Sequence, residues 1–229
     1  MRNLFLRRLL LLSSVVFAVS CTSMDYHYKD FWDLANRVYV GKVDSLSAHS
    51  GKNRIELHWK KSPDPTVSGL AIYWNNGADS LLISIEGLES DGWLTTVVPG
   101  LSEDTHVFEV FGLDKDGNRS VPVEVIARVY GDVYENGLAN RVIREQVVDG
   151  SSLSIWWFAD DDPTLIGTEI HYLDDHEVDR IAYHPSVESN VIIDHVDFQQ
   201  EIKYRSLYRP DTLAIDTFYT SFSPILLEQ

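Results

Sequence analysis

Residues 55–72 read IELHWKKSPDPTVSGLAI, and residues 153–170 read LSIWWFADDDPTLIGTEI. The second stretch repeats the first without a gap, at a constant offset of 98 residues. The identical positions are Trp59 and Trp157, Asp64-Pro65-Thr66 and Asp162-Pro163-Thr164, Gly69 and Gly167, and Ile72 and Ile170. A period of this length is the size of a domain and too long for a solenoid repeat. We therefore predict two copies of one domain, residues 42–130 and 131–229.

Each copy has the pattern of an all-β domain. Ile55, Leu57 and Trp59 alternate with polar residues, so they are predicted to point inward from one strand, as are their counterparts in the second copy. Short apolar or β-branched runs of this kind recur about seven times per copy, separated by turn residues such as Pro, Gly, Asn and Asp. Seven short strands in about 90 residues are typical of a β-sandwich.

An inward Trp on the second strand, followed by a turn and a strand with an inward Ile72, resembles the fibronectin type III domain. Leu101 and Thr105 also resemble this family's approach to its sixth strand. The tyrosine usual in that region is replaced by Val107 in the first copy, whereas the second copy has Tyr204. The resemblance implies two tandem fibronectin type III-like, immunoglobulin-like β-sandwiches.

The N-terminus has the features of an export signal. Arg2, Arg7 and Arg8 precede an apolar run from Leu9 to Val19, which is too short to span a membrane as a helix. Ala18-Val19-Ser20-Cys21 then resembles the lipobox of bacterial lipoproteins, in which the Cys is lipidated and becomes the first mature residue. We predict a signal peptide over residues 1–20, a lipid on Cys21 that holds the protein at a membrane, and a tether over residues 21–41. The alternative is an ordinary signal peptide containing a free Cys.

The composition argues against nucleic acid as a partner. The chain has 19 basic and 35 acidic residues, a formal charge of −16, which becomes −19 without the three Arg of the signal peptide. Phosphate binding needs clustered Lys and Arg. Cys21 is the only cysteine, so no disulfide can form within the chain.

The whole chain also resembles a family of Bacteroidota outer-membrane lipoproteins. The resemblance rests on the lipobox, on YVGKVDSL at residues 39–46 leading into GKNR at 51–54, and on Asp64-Pro65 followed by IYWNNG at 72–77. It implies an outer-membrane location, on the surface or the periplasmic face, and association with glycan-uptake systems. It carries no catalytic residues over to this chain.

Three positions are candidates for ligand binding. If Trp157 points inward, Trp156 must point outward, where its flat ring could stack on a sugar. The alternative is that Trp156 contacts the other domain or the tether. Tyr73 and His171 are a second pair of outward positions, matched by the offset of the repeat.

The sequence indicates no catalytic residues, no metal site and no cofactor. It has no nucleophile elbow, no phosphate-binding glycine loop and no His pair at zinc-protease spacing. Asp114–Asn118 imitates the start of a calcium loop, but Arg119 and Val125 occupy places that need Gly and Glu, so a hairpin turn is expected. Asp160–Asp162 and Asp174-Asp175 are acidic loops in which calcium binding is the lesser alternative.

Two functions fit these features. The first is a non-catalytic surface lipoprotein that binds a glycan for an uptake system. The second is a structural spacer or a docking module for an outer-membrane protein. Fold alone does not choose between them.

Overall fold

The computed structural model describes residues 39–87 and 92–227, and residues from Val40 onward form one compact unit. The signal peptide, Cys21 and nearly all of the tether lie outside the described residues. Within the described ranges, no helix has the length and apolar character that crossing a bilayer requires.

The first half of the unit is a sandwich of two antiparallel sheets. Its strands are β1 (Asp44–Ser50), β2 (Arg54–Lys60), β3 (Gly69–Trp74), β4 (Asp79–Ser84), β5 (Trp93–Pro99), β6 (Thr105–Leu113) and β7 (Val123–Arg128). One sheet has the order β1-β2-β5 and the other β4-β3-β6-β7.

The second half repeats this arrangement. Its strands are β8 (Ile143–Asp149), β9 (Ser152–Trp157), β10 (Leu165–Leu173), β11 (Asp179–Pro185), β12 (Asn190–Ile193), β13 (Lys203–Tyr208), β14 (Phe218–Tyr219) and β15 (Ser223–Pro224). The sheets are β8-β9-β12 and β11-β10-β13, with β14 and β15 both pairing with β13.

Strands one, two and five thus face strands four, three, six and seven in both halves, which is the layout expected of a fibronectin type III-like sandwich. This confirms the predicted fold class. The sequence boundaries of the two domains stay predictions.

The cores follow from the alternation of side chains. On β2, Ile55, Leu57 and Trp59 are all buried, and on β9 the same is true of Leu153, Ile155 and Trp157. Both sets were predicted to point inward, because side chains on a strand alternate between its two faces.

The last strand of the second sandwich differs from the expectation. The β-prone run from Ile215 to Phe222 predicts one continuous strand, but only Phe218–Tyr219 and Ser223–Pro224 pair with β13. Ile215 instead turns toward the first sandwich, where its backbone N–H donates to the Ser50 carbonyl at 2.8 Å. The run is therefore divided between the sheet and the junction of the two sandwiches.

A short helix connects the sandwiches, although the sequence pattern indicates little helix. Helix α1 (Asp132–Asn136) begins after Gly131, and the Glu103 carboxylate accepts hydrogen bonds of 2.7 Å from the N–H groups of Val133 and Tyr134. The first N–H groups of a helix lack partners within the helix, so Glu103 of the first sandwich fixes where α1 begins.

The junction is held by ion pairs and by three aromatic rings. Asp216 accepts from the Lys52 N–H at 2.8 Å and from Arg54 Nε at 2.9 Å, and Arg54 holds its pKa below the ordinary value. Lys52 also pairs with Glu135 of α1. The rings of Tyr130, Tyr134 and Phe218 pack beside these pairs, with centroids 4.7 to 6.1 Å apart.

Candidate functional site

The three predicted binding residues do not share a surface. Tyr73 lies on β3 of the first sandwich and His171 on β10 of the second. Trp156 lies on β9, in the opposite sheet of the second sandwich from His171. Each must therefore be assessed with its own neighbours.

Trp156 is half-buried on an open sheet face. Glu145 of β8 and Asn190 of β12 stand opposite it in the adjacent strands. The neighbouring outward position on the same strand is Ser154. The direct cross-strand partners of Trp156 are therefore one acidic and one amide side chain, neither of them aromatic.

Tyr73 is half-buried on the outer face of the first sandwich. Its ring meets Phe111 edge-on, with centroids 5.7 Å apart, and the Arg119 guanidinium lies 5.3 Å from its centroid. These contacts hold the ring in place and cover part of it.

His171 belongs to a denser group of side chains on the second sandwich. Its ring meets Phe222 edge-on at 4.7 Å, and Lys203 Nζ lies 5.0 Å from the same Phe222 ring. The Arg205 guanidinium lies 4.9 Å from Phe222 and 4.0 Å from Tyr219. Cations and aromatic rings therefore alternate along this face, each contact contributing about 0.5–2 kcal/mol depending on burial.

Glu169 fixes the orientation of Arg205. One carboxylate oxygen accepts a hydrogen bond of 2.8 Å from Nε of the guanidinium, and Nη2 forms an ion pair with the same oxygen at 2.8 Å. The two residues are paired across β10 and β13, so the backbone register sets this contact. Nε2 of His171 lies 3.6 Å from the same carboxylate, beyond hydrogen-bond length, and has no partner within the described protein.

Tyr183 of β11 lies flat on the same face. A side chain at position 167 would collide with this ring, because a Cβ added to Gly167 would lie 2.6 Å from it. The Tyr183 hydroxyl donates to the Ile166 carbonyl at 2.9 Å, and 52% of the residue remains exposed. Gly167 thus allows an aromatic ring to be held against the sheet with one side open to solvent.

We call this surface the aromatic face, comprising His171, Tyr183, Arg205, Tyr219 and Phe222. A shallow depression of about 440 Å³ lies at one end, lined in part by His171, Ile181 and Lys203. Another of about 470 Å³ lies at the other end, lined in part by Arg205, Tyr219 and Asn140. Open rings beside charged groups and depressions provide both stacking and hydrogen bonding for a ligand.

The carboxylates of Asp174 and Asp114 each hold a turn. The Asp174 carboxylate accepts from the N–H groups of His176 and Val178 and from Arg180, and the hydrogen bond from Val178 is the first cause that lowers its pKa to about 2. Asp114 likewise accepts from the N–H groups of Asp116 and Asn118, in the hairpin turn that the sequence predicts there. Both carboxylates cap turns, and their oxygens are occupied by donors of the chain.

One family model matches most of the chain. Residues 21–218 match DUF4998, which is described as a domain of unknown function. The chain belongs to the DUF4998 family. The match includes Cys21, the first sandwich and the second sandwich as far as Phe218, so the aromatic face lies mostly within it. No curated protein matches the chain.

Among solved structures, this DUF4998 chain is similar to three proteins with fibronectin type III domains. The FN1–FN3 domains of chicken CNTN1 share 10% identity at a TM-score of 0.47, covering 82% of this chain and 64% of that one, just under two thirds. A two-domain segment of chicken tenascin shares 8% identity at a TM-score of 0.33, covering 82% and 99%. The central fibronectin-III array of RIM-binding protein shares 13% identity at 0.31, covering 82% and 70%.

Sequence reasoning identified only one member of the aromatic face in this DUF4998 chain, His171. Tyr183, Arg205, Tyr219 and Phe222 were missed because they lie on three other strands or connecting segments. The one available signal was the alternation of side chains along β10: Thr168 and Ile170 point inward, so Glu169 and His171 point outward onto the same face.

Proposed function

We propose that the protein is a non-catalytic, lipid-anchored binding protein of the bacterial outer membrane that captures a glycan on its aromatic face. The observation that carries the proposal is the Tyr183 ring, held flat over Gly167 with half of the residue exposed. A fixed ring of this kind can stack on the apolar face of a sugar without losing further side-chain freedom.

The polar groups of the face supply the other half of sugar recognition. Glu169 and Arg205 are held in place by a hydrogen bond and an ion pair between them, and Lys203 extends beside Phe222. Sugars present hydroxyl groups that both donate and accept hydrogen bonds. The carboxylate supplies acceptors and the cationic side chains supply donors for such a ligand.

The proposal moves the expected ligand site away from Trp156. Trp156 stands between Glu145 and Asn190, neither of which is aromatic, whereas Tyr183 belongs to a face with further aromatic rings, cationic groups and depressions. His171 keeps its expected role at the edge of the site, and Tyr73 becomes a supporting residue of the first sandwich.

The second candidate function is a spacer or docking module, and the junction favours it. Arg54, Lys52 and Asp216 join the two sandwiches through hydrogen bonds, and α1 is fixed by Glu103. Such a junction would hold a binding face at a defined distance from the membrane. The two functions are compatible, because a spacer can present a glycan-binding face.

The test is a glycan array followed by calorimetry on the full chain in detergent. We expect a glycan to bind, and Tyr183→Ala to weaken binding by at least about tenfold, since about 1.4 kcal/mol corresponds to tenfold. Trp156→Ala is the matched control on the opposite sheet and should leave affinity unchanged.

The outcomes separate the functions. Binding lost in Trp156→Ala and kept in Tyr183→Ala would move the site to the other sheet. No glycan bound by the wild type would leave the docking function, for which crosslinking in intact membranes should return one outer-membrane protein. The anchor has its own test, because Cys21→Ser should release the protein from the membrane fraction.

A further inference from the structure

Three metal-ligating side chains meet on the outer face of the first sandwich. His49 lies on β1, and Glu56 and His58 lie on β2. One ligand atom from each lies within 4.8 Å of the other two. This surface belongs to the sheet β1-β2-β5, so it is separate from the aromatic face of the second sandwich.

Strand pairing creates the cluster. His49 stands directly opposite Glu56, and His58 is two residues further along β2, so it projects from the same face. The His49 and His58 rings lie 3.9 Å apart, tilted by 31°. Because all three residues are held by a paired antiparallel ladder, bringing their donor atoms together needs only side-chain rotation.

Glu56 and His58 place a carboxylate oxygen and an imidazole nitrogen nearly as close together as two ligands of one metal ion, with a hydrogen bond between them. His58 Nε2 lies 2.6 Å from Glu56 Oε2, and the two side chains are about one quarter exposed, at 26% each. A nitrogen and a carboxylate oxygen at this distance need a shared hydrogen. Ligands in a tetrahedral zinc site lie about 3.3 Å apart, from bond lengths near 2.0–2.1 Å. The ion would replace that proton and widen the contact by less than about 1 Å.

We propose that His49, Glu56 and His58 bind a divalent transition-metal ion of the Zn²⁺ class. Two imidazole nitrogens and one carboxylate oxygen suit Zn²⁺ or Cu²⁺, whereas Ca²⁺ and Mg²⁺ need more oxygen ligands than the single carboxylate here provides. Three protein ligands leave a fourth position for water or for a group of a bound molecule.

The surrounding sheet supports this assignment. The residues directly opposite on the neighbouring strands are Ser47, Thr95 and Val97, which carry no charge. Arg54, two residues before Glu56 on β2, does interact with Glu56, but its guanidinium is bound by Asp216, and the carboxylate of Asp211 adds negative charge near His49. The three ligands come from two different strands and not from one segment with a recognisable metal-binding spacing, which is why the sequence predicts no metal site.

The experiment uses the full chain in detergent, purified without a polyhistidine tag and stripped with chelator. Calorimetry with Zn²⁺ should give one tight site, and His49→Asn and His58→Asn should each weaken it at least about 100-fold, because loss of an outer-shell partner alone costs 10–100-fold. The matched control is His176→Asn, which removes one His from the other described group of possible ligands, Asp174-Asp175-His176.

Spectroscopy provides a readout that does not depend on affinity. One equivalent of Cu²⁺ should give an electron paramagnetic resonance spectrum with coupling to two nitrogens, reduced to one nitrogen in either variant. Unchanged thermal unfolding of the metal-free variants would show that they are folded. The proposal is overturned if wild type binds no more tightly than the His49→Asn/His58→Asn double variant, or if His176→Asn removes the signal.

Discussion

Val43 and Arg141 occupy matched positions in the two sandwiches, 98 residues apart, and both are buried. Val43 packs into the same hydrophobic cluster as Ile55, Leu57 and Trp59. Arg141 instead places its guanidinium 5.6 Å from the Trp157 ring, which stacks on the buried His184. Among the residues that the structure describes, the first sandwich buries three polar residues, Ser50, His106 and Ser120, whereas the second buries six polar or charged residues, Arg141 and Asp174 among them.

The polar residues of the second core accompany its broken last strand. Its buried polar or charged residues are Arg141, Thr168, Asp174, His184, Ser206 and Thr220. Where β7 of the first sandwich is continuous, β14 and β15 are two residues each. Side-chain hydrogen bonds therefore replace part of a backbone ladder. The same broken edge carries Tyr219 and Phe222, so the departure from a regular sandwich coincides with the aromatic face.

The largest expected effect on stability is at Trp59 and Trp157, which occupy equivalent buried positions in the two cores. Trp59→Ala and Trp157→Ala should each destabilise the protein by about 3–5 kcal/mol, because each removes a fully buried large side chain and leaves a cavity. Hydrogen-exchange mass spectrometry reports each sandwich separately, and should show lost protection mainly in the sandwich that carries the substitution. Equal loss of protection in both sandwiches after either change would mean that the junction makes them one cooperative unit.

The second prediction concerns the hydrogen bonds that replace the ladder. Asn140 Oδ1 accepts from the Ser206 N–H at 2.8 Å, and Asn140 Nδ2 donates to the Ser221 carbonyl at 2.8 Å. Asn140→Ala should cost about 0.5–1.5 kcal/mol, because it removes these hydrogen bonds while the Ser206 N–H keeps the Thr220 hydroxyl as an acceptor at 2.8 Å. Urea unfolding measures the loss, and exchange should rise first at β14 and β15. A loss confined to the first sandwich would contradict this role.

The third prediction tests whether the buried cation of the second core stabilises it. Nε and Nη1 of Arg141 have no hydrogen-bond partner within the described protein, and burial is the first cause that lowers its pKa. Arg141→Met keeps much of the volume and removes these donors. We expect a gain of up to about 1 kcal/mol, since an unpaired buried donor costs about 1–3 kcal/mol and the contact with Trp157 offsets part of that cost. A clear loss of stability would show that Arg141 has a partner in solution.

The sequence predicts the parts of the fold that depend on alternation along one strand. The inward positions of Trp59 and Trp157 follow from period two alone, and both are buried. The division of Ile215–Phe222 does not follow, because Ile215 is used by a contact with Ser50 in the other sandwich. The sequence contains no signal for that tertiary contact.

The candidate sites depend on register, which the sequence specifies less well. His49 faces Glu56 only because Ser50 pairs with Ile55 across the connection at residues 51–53. A shift of one residue would place His49 opposite Ile55, and His49 would then project from the other face of the sheet than Glu56 and His58, because successive residues point to opposite faces. The aromatic face has the same dependence, since Arg205 meets Glu169 through the register of β10 and β13.

The smallest expected effect is a pH dependence of the second sandwich. Burial is the first cause that lowers the pKa of His184 below its ordinary value of 6.5, and Arg141 lowers it further. The hydrogen bond to the Glu188 carbonyl, with the ring nitrogen as donor at 3.1 Å, and the Glu188 charge act in the opposite direction. The folded protein therefore binds the His184 proton less readily than the unfolded chain.

The sign follows from which state takes up the proton. Above about pH 6.5 neither state is protonated at His184 and its contribution to stability is fully present. As the pH falls below 6.5, the unfolded chain binds a proton first, so stability is lost until the pH reaches the lowered folded pKa, and the loss then levels off.

His49 of the first sandwich also has a lowered pKa, from burial first and from His58 second, so each sandwich needs its own measurement. Hydrogen exchange between pH 7.5 and 5 should show a weakening of the second sandwich that His184→Gln reduces, while the dependence of the first sandwich stays in place; His195, whose pKa is raised first by its hydrogen bond to Asp175, acts in the opposite direction and is unaffected by this change. If His184→Gln leaves the pH profile of the second sandwich unchanged, its acid sensitivity arises from another group.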